Sequence, residues 1–224
     1  MRVSRGVVLL LMAVLRPHAA AAQDTRGASV AGGVSAANME SSTTASVSGA
    51  FEYRFTPIVG LELEATFTPT LKGPFPEQPL TIADTLSGLP ATTILQVFPS
   101  PSLTNLGGRM VVFTNAVRVH LPTASARIEP FFVAGGGVAS VRRTADLVFS
   151  FPILAFPGAP AAPLRTINQH LTASEVDLAL TIGGGIGIRA ARRLWVDVDL
   201  RLLRVMGDAD RNVGRFGVAA RYAF

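Results

Sequence analysis

Two pairs of carboxylates offer the most direct indication of chemistry in this sequence. Glu62 and Glu64 are two residues apart, and so are Asp197 and Asp199. Because alternate residues of a β-strand share one face, each pair can present two carboxylates side by side. Such pairs can act in general acid–base catalysis, or they can neutralise nearby arginines. Charge neutralisation is favoured, because arginines occupy similar alternating positions elsewhere in the chain.

Histidines and glycines provide no stronger sign of an active site. After residue 22 the chain has two histidines, His120 and His170, and nothing in the sequence places a serine and an acid around either. A metal site needs more ligands than these. The glycine-rich runs at 135–137 and 183–187 lack the lysine of a phosphate-binding loop and suit bends within strands. We therefore expect no catalytic residue, no metal and no cofactor.

Composition narrows the class of protein. The 224 residues include no cysteine, which excludes a disulfide scaffold and a thiolate metal site. The net charge of +5 is misleading, because removing Arg2, Arg5 and Arg16 leaves 17 basic against 15 acidic residues. This small excess does not indicate binding to nucleic acid.

The first 22 residues have the pattern of a secretory signal peptide. Arg2 and Arg5 precede the apolar run Gly6–Leu15, and Ala19–Ala22 form a small-residue site before Gln23. We expect cleavage after Ala22, export, and a single domain over 23–224.

Apolar and polar residues then alternate with period two along most of the chain, which predicts β-strands. Eight strands are expected, at 27–36, 44–55, 58–68, 109–121, 127–143, 173–189, 194–204 and 213–224. Most of them have the length of about 9–11 residues that a tilted strand needs to cross a bilayer.

The connections between these strands alternate in length. The predicted long connections are 37–43, 69–108, 144–172 and 205–212, and the short ones are 56–57, 122–126 and 190–193. In an up-and-down arrangement every long connection falls at one end, as in transmembrane barrels with short periplasmic turns. The sequence therefore predicts an all-β fold, an eight-stranded antiparallel transmembrane β-barrel. A soluble exported barrel, with its apolar face inside, remains the alternative.

In the membrane version the polar face of each strand lines the lumen. The predicted lumen-facing charges are Glu52, Arg54, Glu62, Glu64, Arg118, Glu175, Asp177, Arg189, Asp197, Asp199, Arg201, Arg215 and Arg221. An eight-stranded interior is just wide enough to be filled by side chains, so these acids and arginines can pair.

The C-terminus resembles that of the eight-stranded outer-membrane β-barrels, the OmpA-like and OmpW-like family. Its members typically end in phenylalanine, with apolar or aromatic residues at alternate positions before it. The matching residues here are Phe216, Val218, Ala220, Tyr222 and Phe224. The resemblance implies that the barrel-assembly machinery recognises this segment and that the protein lies in the bacterial outer membrane. One departure is Asn115 on the apolar face of its strand, which suggests a bulge or a register slip.

The expected role is structural or surface-binding, in a monomer that contacts outer-membrane lipid and an unknown surface ligand or partner. The apolar, proline-rich loops at 69–108 and 144–172 are candidates for that contact. A narrow channel for small or apolar molecules and a surface lipid-modifying enzyme remain open as alternatives.

Overall fold

The computed structural model describes residues 27–39, 42–71, 102–152, 164–207 and 210–224. They form eight strands: β1 (Gly27–Met39), β2 (Ser42–Arg54), β3 (Val59–Thr68), β4 (Ser102–His120), β5 (Ile128–Pro152), β6 (Leu164–Arg189), β7 (Leu194–Met206) and β8 (Arg211–Ala223). The predicted signal peptide lies outside the described residues.

Each strand pairs with its neighbour in the chain, and β8 pairs with β1 to close the barrel. All eight pairings are antiparallel, and closure leaves the barrel without a free sheet edge along its paired length. The predicted fold is confirmed. Within the described ranges, no helix is both long enough and apolar enough to cross a membrane.

Strands β4, β5 and β6 are much longer than predicted. The sequence predicts that 102–108, 144–152 and 164–172 belong to the long loops, but these residues are strand. The connection predicted at 144–172 is thereby reduced to 153–163. The connection predicted at 37–43 shrinks to 40–41 and that at 205–212 to 207–210. The alternation of long and short connections was therefore wrong for two of the four long connections. It holds for the connections around 69–101 and 153–163.

The outer face of the barrel is apolar over most of its height. Leu63, Val176, Ile182, Leu200 and Phe216 are 48%, 76%, 65%, 65% and 55% exposed, whereas the charged residues between them in the strands point inward. This geometry excludes the soluble alternative, in which the apolar face would fill the interior.

This polarity inverts towards the end of the barrel that carries the longer connections. There the interior is an apolar cluster, and polar side chains take the outward positions. The cluster comprises Ala37, Met39, Leu71, Met110, Val112, Ala139, Val141, Ala179, Val205 and Val213. Further along β5, Ala145 and Leu147 are buried while Asp146 between them faces outward. The inversion explains the underestimated strands: serine, threonine and asparagine on the outer face look like loop composition.

Asn115 lies in a regular part of β4, opposite Leu63 of β3 and Gly136 of β5. It is exposed on the outer face, so both the bulge and the register slip suggested for this position were wrong. The irregularity in β4 instead lies between Thr104 and Gly107. Asn105 adopts φ 52° there, a left-handed conformation that asparagine tolerates better than most residues.

Candidate functional site

Inward positions of six strands, β2, β3, β4, β6, β7 and β8, bring the predicted charges together in the lumen. Ten of the thirteen are buried: Glu52, Arg54, Glu62, Glu64, Arg118, Asp177, Asp197, Arg201, Arg215 and Arg221. Glu175, Arg189 and Asp199 are partly buried. Their common inward direction follows from the two-residue period of each strand.

Arg118 of β4 is at the centre of this network. Its guanidinium donates to Glu62 Oε2 at 2.9 Å and to Asp197 Oδ2 at 2.7 Å, and it lies 3.6 Å from the centroid of the Phe131 ring. Arg221 of β8 also donates from Nε to Asp197 Oδ2, at 2.9 Å. Arg118 and Arg221 are both among the predicted lumen-facing charges, and both contact Asp197.

Two further arginines neutralise the rest of the carboxylate pairs. Arg201 Nη1 donates to Glu62 Oε1 at 2.6 Å and to Glu64 Oε2 at 2.9 Å, while its Nε donates to Asp199 Oδ2 at 2.6 Å. Arg215 contacts Glu64 Oε1 at 2.8 Å and Thr66 Oγ1 at 2.8 Å. Both pairs are therefore held by arginines, which leaves neither one arranged as a solvent-facing acid and base.

His120 and Glu129 join the network near the short turns, and neither is among the predicted lumen-facing charges. Arg54 donates two parallel hydrogen bonds to Glu129, both 2.7 Å, and His120 Nε2 lies 2.5 Å from Glu52 Oε1. His120 shares the parity of Arg118 and could have been assigned from it. Glu129 could not, because Pro130 and the glycines of β5 hide the alternation of that strand.

Arg54 also occupies the space between these groups. Its Nη2 is 3.0 Å from His120 Nδ1, and its Nε is 3.1 Å from Glu52 Oε1. A cation among these ligands would have to displace the guanidinium. Among the residues that the structure describes, no group of three or more histidine, aspartate or glutamate side chains is arranged to hold a metal ion.

The glycine-rich runs make room for this network rather than forming a loop. Both lie within strands, in β5 and β6. A Cβ added to Gly187 would lie 2.9 Å from Asp197 Oδ1 and 3.0 Å from Arg221 Nη2. A Cβ at Gly185 would lie 2.7 Å from the tip of the Phe131 ring. The missing side chains admit the bulky ones that reach across the lumen.

The two cavities that border the described lumen residues are small. A cavity of about 30 Å³ borders Glu62, Arg118 and Asp199, and another of about 20 Å³ borders Thr66, Met110 and Val213. A single water needs at least roughly 10–15 Å³ by this measure, so each cavity holds only one or two. The charged lumen is filled by its own side chains.

A second, smaller polar cluster lies on the outer face of the extended strands. Asp146 of β5 accepts hydrogen bonds from His170 Nδ1 at 2.7 Å and from Asn105 Nδ2 at 2.8 Å. The hydrogen bond from His170, and to a smaller extent that from Asn105, holds the pKa of the Asp146 carboxyl below its usual range. The sequence alone gives no sign of an acid beside His170, because strand pairing brings together residues 24 positions apart.

Comparison with known proteins agrees with this architecture. A family model described as outer membrane protein beta-barrel domain matches residues 7–224. The chain belongs to this family. The resemblance inferred from the C-terminus is thereby confirmed. A comparison with curated protein sequences finds no significant match.

Solved structures of similar fold come from several bacteria. Neisserial surface protein A is 11% identical with a TM-score of 0.51, and the alignment covers 88% of this chain and 97% of that one. The attachment invasion locus protein Ail of Yersinia pestis is 14% identical, with a TM-score of 0.47 and coverage of 89% and 99%. A major outer membrane protein of Thermus thermophilus is 12% identical, with a TM-score of 0.49 and coverage of 88% and 100%. At these identities the likeness to Neisserial surface protein A supports the fold alone.

Proposed function

We propose that this family member is a monomeric, non-conducting barrel of the bacterial outer membrane, whose role is structural or surface-binding and is exercised at its outer end. The observation that carries the proposal is the filled lumen, where Glu62, Arg118 and Asp197 link β3, β4 and β7 across the interior.

Two different obstacles stand in series along the barrel axis. An ion entering from the short-turn end would have to separate buried pairs such as Arg118–Asp197, and breaking a buried pair costs about 3–5 kcal/mol. Beyond them it would meet the apolar cluster around Met110 and Val205, where an ion loses its hydration without compensation. Together they argue against the narrow-channel alternative.

The distribution of polarity on the outer face supports the membrane placement. The apolar belt of the outer face matches the hydrocarbon core of a membrane. The polar outer face of the extended β4, β5 and β6 matches an aqueous surrounding. Because transmembrane barrels have short periplasmic turns, we place the turns at 55–58, 121–127 and 190–193 in the periplasm. The extended strands then project from the cell surface, where a partner can reach them.

Conductance of the purified protein in planar lipid bilayers tests the closed lumen. The parent chain should give no stable current steps. Replacing the two central arginines, as Arg118→Ala with Arg201→Ala, should permit current if the variant folds. Arg192→Ala with Arg193→Ala, in a periplasmic turn, is the matched control for charge loss and should stay silent. Steady current through the parent chain would contradict the proposal.

The proposal includes no catalytic role. The arrangement nearest to one is Asp146–His170, but among the side chains that the structure describes no serine or threonine hydroxyl hydrogen-bonds to His170. Mass spectra of outer-membrane lipid A should therefore be the same with and without the protein. A mass change that His170→Ala abolishes would favour the lipid-modifying alternative instead.

A further inference from the structure

Arg109 of β4 and Arg142 of β5 form a cross-strand pair of like charge on the outer face of the barrel. They lie directly opposite one another in the register, and both are exposed. Directly opposed residues bring their Cβ atoms to about 4.5–5.5 Å, and like charges at that spacing are destabilising. Nothing in the folding of the barrel requires two cations at this point.

No acid of the described residues compensates the pair. Glu175 and Asp177 are near in β6 but point to the interior. Asp146, the outward acid of β5, is held by His170 and Asn105 instead. Neither Arg109 nor Arg142 has an ion pair or a side-chain hydrogen bond with the described strands. Ser174 of β6, opposite Arg142, adds an exposed hydroxyl beside the two guanidinium groups.

The height of the pair on the barrel is informative. One row closer to the short turns, the outward residues are Val111, Ser140 and Val176, and the next row is fully apolar, with Phe113, Val138 and Leu178. One row in the other direction lie Thr144 and Thr172. The arginines therefore occupy the boundary at which the outer face changes from apolar to polar.

We propose that Arg109 and Arg142 bind the phosphate group of a lipid in the leaflet that surrounds the outer end of the barrel. A phosphate offers several acceptor oxygens in a geometry that planar guanidinium forks match. Its negative charge removes the repulsion between the two arginines. The acyl chains of a lipid held there lie along Phe113, Val138 and Leu178, which a soluble phosphate would not use.

Native mass spectrometry of the mature chain, released from non-ionic detergent, tests this site. The probes are phosphatidic acid and phosphatidylcholine with identical acyl chains, and inorganic phosphate alone. The parent chain should retain one phosphatidic acid with an affinity at least about tenfold above that for phosphatidylcholine. Arg109→Gln with Arg142→Gln should lose about tenfold in affinity for phosphatidic acid, since one lost charge-assisted hydrogen bond is sufficient for that factor.

Two further variants separate the site from general electrostatics. Arg192→Gln with Arg193→Gln makes the same change in charge at the opposite end and should bind phosphatidic acid as the parent does. Arg109→Lys with Arg142→Lys keeps the charge but loses the forked geometry. Its affinity for phosphatidic acid should lie between those of the parent and the glutamine variant. The lysine variant also provides the test if the glutamine variant does not show the heat-dependent gel mobility of a folded barrel.

The proposal would be overturned if Arg192→Gln with Arg193→Gln lost as much affinity for phosphatidic acid as Arg109→Gln with Arg142→Gln. Equal retention of the two lipids by the parent chain would overturn it as well. Binding of inorganic phosphate as tight as that of phosphatidic acid would also overturn it, by assigning the arginines to a soluble anion. The result is independent of conductance, because the two arginines take no part in the lumen.

Discussion

Glu62 shows how much one inward side chain contributes at the residue scale. It is 1% exposed and lies between Arg118 and Arg201, each within 2.9 Å of one of its oxygens. It also stands opposite Glu52 of β2, a like-charge pair that the arginines compensate. The carboxylate is therefore a structural counter-ion rather than a reactive group.

Glu62→Gln should destabilise the barrel by about 3–5 kcal/mol, because it leaves two buried guanidinium groups short of negative charge. Urea unfolding in lipid vesicles measures the change. Glu175→Gln is the control, since Glu175 is less buried than Glu62 and meets Arg211 only at 3.8 Å, so it should cost clearly less than Glu62→Gln. Equal costs would show that the lumen is wet and its ion pairs are weak.

Asn115 presents the opposite situation, a polar side chain in the apolar outer belt. No hydrogen bond joins its amide to the described residues, and its neighbours on that face include Leu63 and Phe113. An amide in hydrocarbon without a partner costs free energy.

Asn115→Leu should therefore stabilise the barrel in a bilayer by about 1–3 kcal/mol. The matched control is Asn212→Leu in β8, which is exposed opposite Arg204 near the polar outer end and should change stability by less than about 0.5 kcal/mol. Both are measured by unfolding from vesicles. A loss of stability in Asn115→Leu would mean that the amide has a partner in the membrane.

At the scale of the element, β8 presents different side chains on its two faces. Arg215 and Arg221 point inward into the ion-pair network, while Phe216, Val218 and Tyr222 are exposed outside. Phe224 follows the strand, 67% exposed, with its ring edge-on to Tyr222 at 5.4 Å between centroids. Recognition of this outer stripe by the assembly machinery stays a prediction.

Deletion of Phe224 should lower the amount of folded protein in the outer membrane, because it removes both the terminal aromatic and the hydrogen bond from Phe224 N to Ala28 O. Quantitative blotting of membrane fractions measures the yield. A variant lacking one residue of the connection 72–101 is the control and should assemble as the parent does. Equal yields for both deletions would remove the assembly role.

At the scale of the whole molecule, closure of the barrel sets the two ends apart. The eight antiparallel strands place the turns at 55–58, 121–127 and 190–193 at one end, and the strand ends that border 69–101 and 153–163 at the other. Both chain termini of the barrel belong to the short-turn end, because the number of strands is even.

A protease recognition sequence inserted at 153–163 should be cut when the protease is added to intact cells, because the proposed orientation puts that end outside the cell. The same sequence inserted at 190–193 should be cut only after the outer membrane has been disrupted. The fragment sizes on a gel give the result. Cleavage at 190–193 in intact cells would invert the orientation of the barrel.

The alternation of side chains along the strands determined the number of strands and placed the charges on one common face of each strand. This succeeded because the two-residue period is local: Leu63 and Glu62 must face opposite ways wherever their strand lies. The same rule left two alternatives open, a barrel with its apolar face inside and one with that face outside, because the period does not show which face is the interior.

Only the tertiary structure decided the rest, because it depends on registers that join distant residues. Arg201 reaches Glu62 over 139 positions in the chain, and His170 meets Asp146 through the pairing of two strands whose ends looked like loops. Strand pairing and closure of the barrel likewise decide three other features: the apolar cluster in the interior at the end with the longer connections, the opposed Arg109 and Arg142, and the regular course of β4 through Asn115. Local sequence determines which way a side chain points, whereas its partner is set by the register of the neighbouring strands.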